Sequence, residues 1–229
     1  MYKDRREAGQ LLAGELRVYA RKPDVTVFGL PRGGIVVAYE VAGALEAPLE
    51  ALAVRKLGVP NYPELAMGAI APGGVIATDR SLIRSLGISD DQVLSVVREE
   101  KRELKRRENL YRGGRPMPDL KGKTAIVVDD GLATGFTMRA SLLALKKKNP
   151  AKIVAAVPVC APQSCRLISS LADCIVCYLS VAELGGIGQW YGDFEQVTDE
   201  DVISLLDRSG DWKQLNAKIK VVAPEVYRS

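Results

Sequence analysis

Runs of consecutive apolar residues recur along the chain, and most are followed by a turn signal and then an apolar stripe at helical spacing. Val25 to Leu30 ends at Pro31-Arg32-Gly33-Gly34 and gives way to an Ala-rich apolar segment from Ile35 to Leu45. Thr124 to Val128 ends in two carboxylates and a Gly/Thr turn, followed by a helical pattern from about Thr137 to Lys148. Ile153 to Val159, Gln163 to Leu171 and Cys174 to Leu179 continue the alternation as strand, helix and strand. Strands without polar alternation are those of a parallel sheet covered on both faces, and the strand–helix order predicts βαβ units. The expected fold class is therefore α/β, with a parallel sheet flanked by helices.

Other segments fill in this frame. Ala8, Leu11, Leu12, Leu16 and Tyr19 lie on one stripe of a helix predicted from about Asp4 to Tyr19. Leu49 to Leu57 reads as one strand ending in Arg55-Lys56. Gly58 to Gly74 is rich in Gly and Pro and reads as a loop, with some strand character near Ala66–Ile70 and Gly74–Ala77. Ser89 opens a long helix to about Tyr111, whose run Arg98 to Glu108 mixes both charge signs and reads as a solvated face. Because acids interrupt its bases, it does not suggest a nucleic-acid partner. Beyond Ser180 the periodicity weakens, and Thr198 with Asp199, Glu200 and Asp201 caps a last short helix.

Composition narrows the chemistry. With 229 residues and 47% hydrophobic positions, one domain with a substantial core is expected. The net charge of +4 favours a polyanionic small molecule without arguing for nucleic acid. There is no histidine, which excludes His-based triads, bases and metal ligands. No apolar run approaches the roughly 20 residues needed to span a membrane, and the charged N-terminus lacks the apolar core of a signal peptide, so a cytoplasmic location is expected. Cys160, Cys165, Cys174 and Cys177 cluster in one region. Cys174 and Cys177 have metal-ligand spacing but fall in a strand, where positions three apart face opposite sides, so packed, reduced thiols are expected.

The most informative stretch is Ala125-Ile-Val-Val-Asp-Asp-Gly-Leu-Ala-Thr-Gly-Phe-Thr-Met138. Backbone N–H groups of a short turn that opens a helix converge on one point, and the helix dipole adds positive potential there. Gly131 and Gly135 allow close backbone approach, and Thr134 and Thr137 offer hydroxyl donors; the turn suits a phosphate monoester. Asp129 and Asp130 would repel phosphate but can accept hydrogen bonds from neighbouring ribose hydroxyls. A sugar phosphate is the implied ligand.

This stretch resembles the phosphoribosyl pyrophosphate motif of type I phosphoribosyltransferases, in a form similar to that of adenine phosphoribosyltransferases. It is not a Walker A loop, since Gly-x-x-x-x-Gly-Lys-Ser/Thr is absent. The resemblance spans roughly Asp24 to Leu179. It implies the type I phosphoribosyltransferase fold, in one domain over residues 1–229 with a core at about 24–179 and a C-terminal hood or extension at about 180–229. Leu30 to Gly34 resembles the family's pyrophosphate loop, with Arg32 supplying charge and Gly33 and Gly34 exposing amides. Arg55-Lys56 resembles the family's basic pair, Gly58 to Gly74 takes the place of its mobile lid, and Phe194 to Thr198 that of its base-binding hood.

The implied reaction is displacement of pyrophosphate from C1 of phosphoribosyl pyrophosphate by a nucleobase nitrogen. Asp129 and Asp130 would hold the ribose, and Gly131, Leu132, Ala133, Thr134, Gly135, Phe136 and Thr137 the 5′-phosphate. Arg32, Arg55 and Lys56 would stabilise the leaving group, with Mg²⁺ carried by the substrate rather than by a protein cage. A homodimer is expected from the same likeness. A regulator that senses phosphoribosyl pyrophosphate or a nucleotide on the same fold is the alternative; hydrolase chemistry lacks a nucleophile-and-base set. Ala133 departs from the 6-oxopurine branch, which places an acidic residue there to bond the purine ring.

Overall fold

A computed structural model describes residues 1–218, without the side chains of 211–218; residues 219–229, the far end of the expected C-terminal extension, lie outside the described residues. In chain order the elements are α1 (Arg5–Glu15), β1 (Val25–Gly29), α2 (Gly33–Leu45), β2 (Leu49–Ala51), β3 (Arg55–Val59), β4 (Tyr62–Ala71), β5 (Val75–Thr78) and α3 (Arg80–Ser85). There follow α4 (Asp90–Arg112), β6 (Thr124–Val128), α5 (Phe136–Lys146), β7 (Lys152–Cys160), α6 (Pro162–Ile168), β8 (Cys174–Ser180) and α7 (Asp199–Lys218). No described helix is long and apolar enough to cross a membrane.

Five strands form a parallel sheet in the order β2-β1-β6-β7-β8. The apolar runs without alternation are explained by a core on each face. Val25, Val27, Ile126, Val128, Val154 and Ala156 pack with α1, α2 and α7 on one side. Phe28, Ala125, Val127, Ile153, Ala155 and Val157 pack with α5 and α6 on the other. The expected α/β architecture is the one observed.

Strand order also sets where a ligand fits. From β1 the chain passes through α2 on one face to β2; from the adjacent β6 it passes through α5 on the opposite face to β7. Connections that diverge from neighbouring strands leave a crevice beyond their C-terminal ends, the usual ligand position in such sheets. Both turns singled out in the sequence, Pro31 to Gly34 and Asp129 to Thr137, lie at that point.

Several boundaries differ from the sequence reading. Leu49 to Leu57 is two strands, not one. β2 ends at Ala51, the Leu52 amide donates to Gly29 O at 3.0 Å, and β3 then joins a separate antiparallel sheet of order β3-β4-β5. Arg55-Lys56 therefore opens a strand instead of closing one. Gly58 to Gly74 is largely hairpin: β3 turns through Asn61, at φ 67°, into the ten-residue β4. Its glycines serve close strand approach, since a methyl at Gly58 would lie 2.7 Å from Pro63 O. The short α3 was not expected, and the final helix, expected to be short, runs 20 residues. Its cap is the predicted one: Thr198 Oγ1 accepts from the Asp201 amide while the Asp201 carboxylate accepts from the Thr198 amide.

Candidate functional site

The site is built where β1 and β6 end. The Leu30 amide donates to Val128 O, keeping the two strands paired up to the point where both chains turn away. α2 begins at Gly33, directly over the acidic pair. A methyl on Gly33 would overlap Asp130 Oδ2, and one on Gly34 would come within 2.7 Å of Asp129 Oδ1 and 2.8 Å of the Asp129 backbone. Only glycine lets the first turn of α2 approach the carboxylates this closely. Arg32 and Gly33 border a shallow cavity with Arg5 and Phe194 to Val197.

Asp129 Oδ1 accepts from the Asp130 amide at 2.9 Å. Burial, reinforced by the adjacent Asp130 charge, holds the Asp129 carboxyl well above the usual carboxylate range. Asp130 is also raised by burial, with Arg5 opposing the shift. The two adjacent carboxyl groups offer acceptor oxygens to a pair of vicinal hydroxyls.

After the carboxylates, Leu132 extends β6 by one parallel bridge to Cys160: its amide donates to Val159 O at 2.9 Å and its carbonyl accepts from the Ala161 amide. Leu132 thus anchors the turn to β7, and its amide is already committed. Ser164 at the start of α6 donates its hydroxyl to Ala133 O, fixing the turn from below. The chain then passes Gly135, at φ 78°, into α5. The amides of Ala133, Thr134, Gly135, Phe136 and Thr137 make no backbone hydrogen bond among the described residues. A run of unpaired amides at the N-terminus of an 11-residue helix is an anion cradle.

The residues after Ser180 close the crevice from the other side. A methyl on Gly131 would meet Ile187 Cδ1 at 2.5 Å, so Ile187 packs directly on that turn. Tyr191 Oη donates to Asp130 O at 2.5 Å, and its ring stacks on Phe194 with centroids 5.1 Å apart. Arg5 joins these parts. Its Nε donates to Asp130 Oδ2 at 2.8 Å, its Nη1 to Glu195 O at 2.9 Å, and its guanidinium lies 3.7 Å over the Phe194 ring.

Of the residues named from the sequence, Arg32, Gly33, Gly34, Asp129, Asp130 and the 131–137 turn are brought together. Arg55 and Lys56 stand apart on β3, pointing to opposite sides of the strand. Arg55 pairs with Glu100 of α4 at 2.6 Å and Lys56 with Glu64 at 3.3 Å. Arg5, Ile187 and Tyr191 were missed by sequence reasoning. Arg5 sits in the charged run Lys3 to Glu7, and no local pattern marks it as a partner of Asp130, 125 positions away.

Cys174 and Cys177 face opposite cores, as strand geometry requires. Cys160 and Cys165 place their sulfurs 2.7 Å apart as free thiols, and hydrogen bonding from the Cys177 thiol, with Cys165, brings Cys160 down to about 6. No group of three His, Cys, Asp or Glu side chains able to hold a metal occurs among the described residues.

Comparison with known proteins shows the family. Residues 2–179 match the family model described as phosphoribosyl transferase domain. In two strains of Mycobacterium tuberculosis a protein named "Putative phosphoribosyl transferase" is 40% identical over 209 residues, 91% of this chain. The chain spans about half of those curated relatives, 47% of their length. The crystal structure of TT1426 from Thermus thermophilus is 37% identical and superposes with a TM-score of 0.72, covering 90% of this chain and 97% of that one.

Proposed function

The chain belongs to the phosphoribosyl transferase domain family, and from that premise we propose that it binds phosphoribosyl pyrophosphate with Mg²⁺ and transfers the phosphoribosyl group to a nitrogenous base, releasing pyrophosphate. One observation carries this reading: the glycines that open α2 press on an acidic pair that leads, through Gly131 and Leu132, into five unpaired amides. Phosphate, ribose and pyrophosphate could then be held along one crevice in the order in which they are bonded. In this reading residues 1–229 act as one domain, with a core at about 24–179 and a hood at about 180–229.

Asp129 and Asp130 take the ribose hydroxyls. The amides of Ala133 to Thr137, with the hydroxyls of Thr134 and Thr137, take the 5′-phosphate. Gly131 gives the backbone room and Leu132 anchors the turn. Arg32, with the amides of Gly33 and Gly34, faces the pyrophosphate. As the leaving group departs, C1 acquires positive charge, and an ionised carboxylate fixed beside the ribose stabilises it without reorganisation. Adjacent carboxylate oxygens next to the pyrophosphate turn suit a hard cation that keeps phosphate and water oxygens as its other ligands. Bound there, magnesium would neutralise charge on the leaving pyrophosphate.

Arg55 and Lys56 are proposed to reach the leaving group when the β3–β4 hairpin closes, exchanging Glu100 and Glu64 for substrate. Arg5 occupies the outer oxygen of Asp130, so ribose binding must displace or share that contact. Pyrophosphate release with a panel of nucleobases, in the wild type and in Asp130→Asn, tests the proposal. Base-dependent release that Asp130→Asn reduces strongly supports it. No release with any base, despite bound phosphoribosyl pyrophosphate, would favour the sensing role.

A further inference from the structure

A second cavity of about 420 Å³ lies away from this crevice, between the C-terminal ends of α4 and α5. Lys105, Arg112 and Arg115 border it from the α4 side and Lys147 and Lys148 from the α5 side, with Glu108 the only carboxylate in its lining among the described residues. The α4 residues follow helical spacing, with 105, 108 and 112 on one face. Beyond α4, Gly113 and Gly114 adopt φ 54° and 79°, which turns Arg115 to Met117 back along the rim. Pro72, Pro116, Met117 and Ala144 give the cavity an apolar portion.

Cations near helix C-termini are ordinary, since they complement the dipole. That accounts for exposed lysines but not for Arg112. This residue is only 8% exposed, yet it makes one long hydrogen bond, Nη2 to Ala51 O at 3.4 Å, out of the five a guanidinium can donate. It takes part in no ion pair among the described residues, nor do Lys105, Arg115, Lys147 or Lys148. Burial draws the Arg112 pKa down, and the charges of Glu50 and Glu108 offset this only in part. A largely buried guanidinium without a close ion pair is costly, and here it borders a cavity ringed by four further cations that make no ion pair among the described residues.

We propose that this cavity is a second ligand site, distinct from the phosphoribosyl crevice, that takes a nucleotide-sized polyphosphate. The phosphates lie against Arg112, Arg115 and the lysines, where planar guanidinium forks suit phosphate oxygens. The nucleoside lies on Met117, Pro116 and Ala144. The cavity volume is that of a small-molecule pocket, and its excess of cations over carboxylates favours three phosphates over one. Because the cations are borne by α4, the loop beyond Gly114 and the residues directly after α5, an occupant also ties α4 to the end of α5, whose first turn carries the anion cradle.

The test is calorimetry with ATP, GTP and AMP on four proteins: wild type, Thr134→Trp to obstruct the first crevice, Lys105→Ala/Arg115→Ala/Lys148→Ala, and Arg112→Met. ATP and GTP are expected to bind the wild type and Thr134→Trp alike, with AMP much weaker. The triple variant is expected to bind ATP about tenfold more weakly or worse, since several charge-assisted contacts are lost, and raised salt should weaken binding to the wild type. Arg112→Met separates a ligand role from a structural one, because replacing an unpaired buried charge by an apolar side chain should leave melting unchanged or raise it. It should also abolish the ATP-induced rise in melting temperature. ATP affinity lost in Thr134→Trp, or kept in the triple variant, would overturn the proposal. So would equal affinity for AMP and ATP, an Arg112→Met protein that melts lower yet keeps the ATP-induced rise, or a single-stranded oligonucleotide that outcompetes ATP.

Discussion

Gly33 and Gly34 are adjacent, yet replacing each by alanine should fail in different ways. A methyl at Gly33 meets mainly side-chain atoms: the Asp130 carboxylate, which it overlaps, and Arg5 Nε at 2.9 Å. Both can swing away, so Gly33→Ala should fold, helped by alanine's helix preference of about 0.5–1 kcal/mol over glycine. The cost should fall on function, because Asp130 would leave its proposed place beside the ribose. Hydrogen bonds to a charged group are worth about 1.5–3 kcal/mol, or about 10- to 150-fold in affinity for phosphoribosyl pyrophosphate. At Gly34 the methyl meets backbone, with Asp129 Cα at 2.8 Å and Val128 O at 3.0 Å, and no rotamer relieves that contact. Overpacking of this kind costs about 1–3 kcal/mol, roughly 2–12 °C in melting temperature for a chain of this size before the smaller helix gain is deducted. Thermal unfolding and calorimetry on the two variants check this. The reasoning is refuted if Gly33→Ala binds phosphoribosyl pyrophosphate like the wild type, or if Gly34→Ala melts unchanged.

Asp129→Asn should be more stable than the wild type at pH 8 and lose that advantage toward pH 4. The wild-type carboxyl has a folded pKa raised above its unfolded value, so its stability contribution is complete below about pH 4 and is lost as pH rises through the raised value; urea unfolding across pH measures this, and a constant difference would contradict it. Amides at the hairpin tip, about 60–66, should exchange quickly in the free protein and slow when phosphoribosyl pyrophosphate binds, whereas Gly68 to Ala71, paired with β5, should exchange slowly throughout. Strong, equal protection of the tip in both states would count against a lid. Hypoxanthine and guanine should be poor acceptors compared with adenine or pyrimidines, because Ala133 offers no side-chain partner to the purine ring; efficient turnover of either shows another residue supplies it.

The parts of this account legible in the sequence are those written contiguously. Thr124 to Thr137 carries strand, acids, turn and helix start in 14 consecutive positions, and the fold keeps them in that order. The break after Ala51 was hidden because Leu52, Ala53 and Val54 are buried at the junction of the two sheets, so the apolar run continues while the chain changes sheet. The hairpin read as a loop because glycine signals flexibility and close strand contact alike; at Gly58 the reason is Pro63 O. Arg5 was invisible for a different reason: its partners, Asp130, Phe194 and Glu195, are distant in sequence and meet only when α1 docks beside the end of the sheet.

The most direct measurement is the calorimetric affinity for phosphoribosyl pyrophosphate with Mg²⁺, taken on a Lys105→Ala/Arg115→Ala/Lys148→Ala background so that the second cavity does not contribute. Asp129→Ala and Thr134→Trp are added to that background one at a time. The account predicts one bound ligand per chain on the background protein, and binding weakened about tenfold or more by each added substitution. Unchanged affinity in both folded variants, or no binding to the background protein, would contradict it.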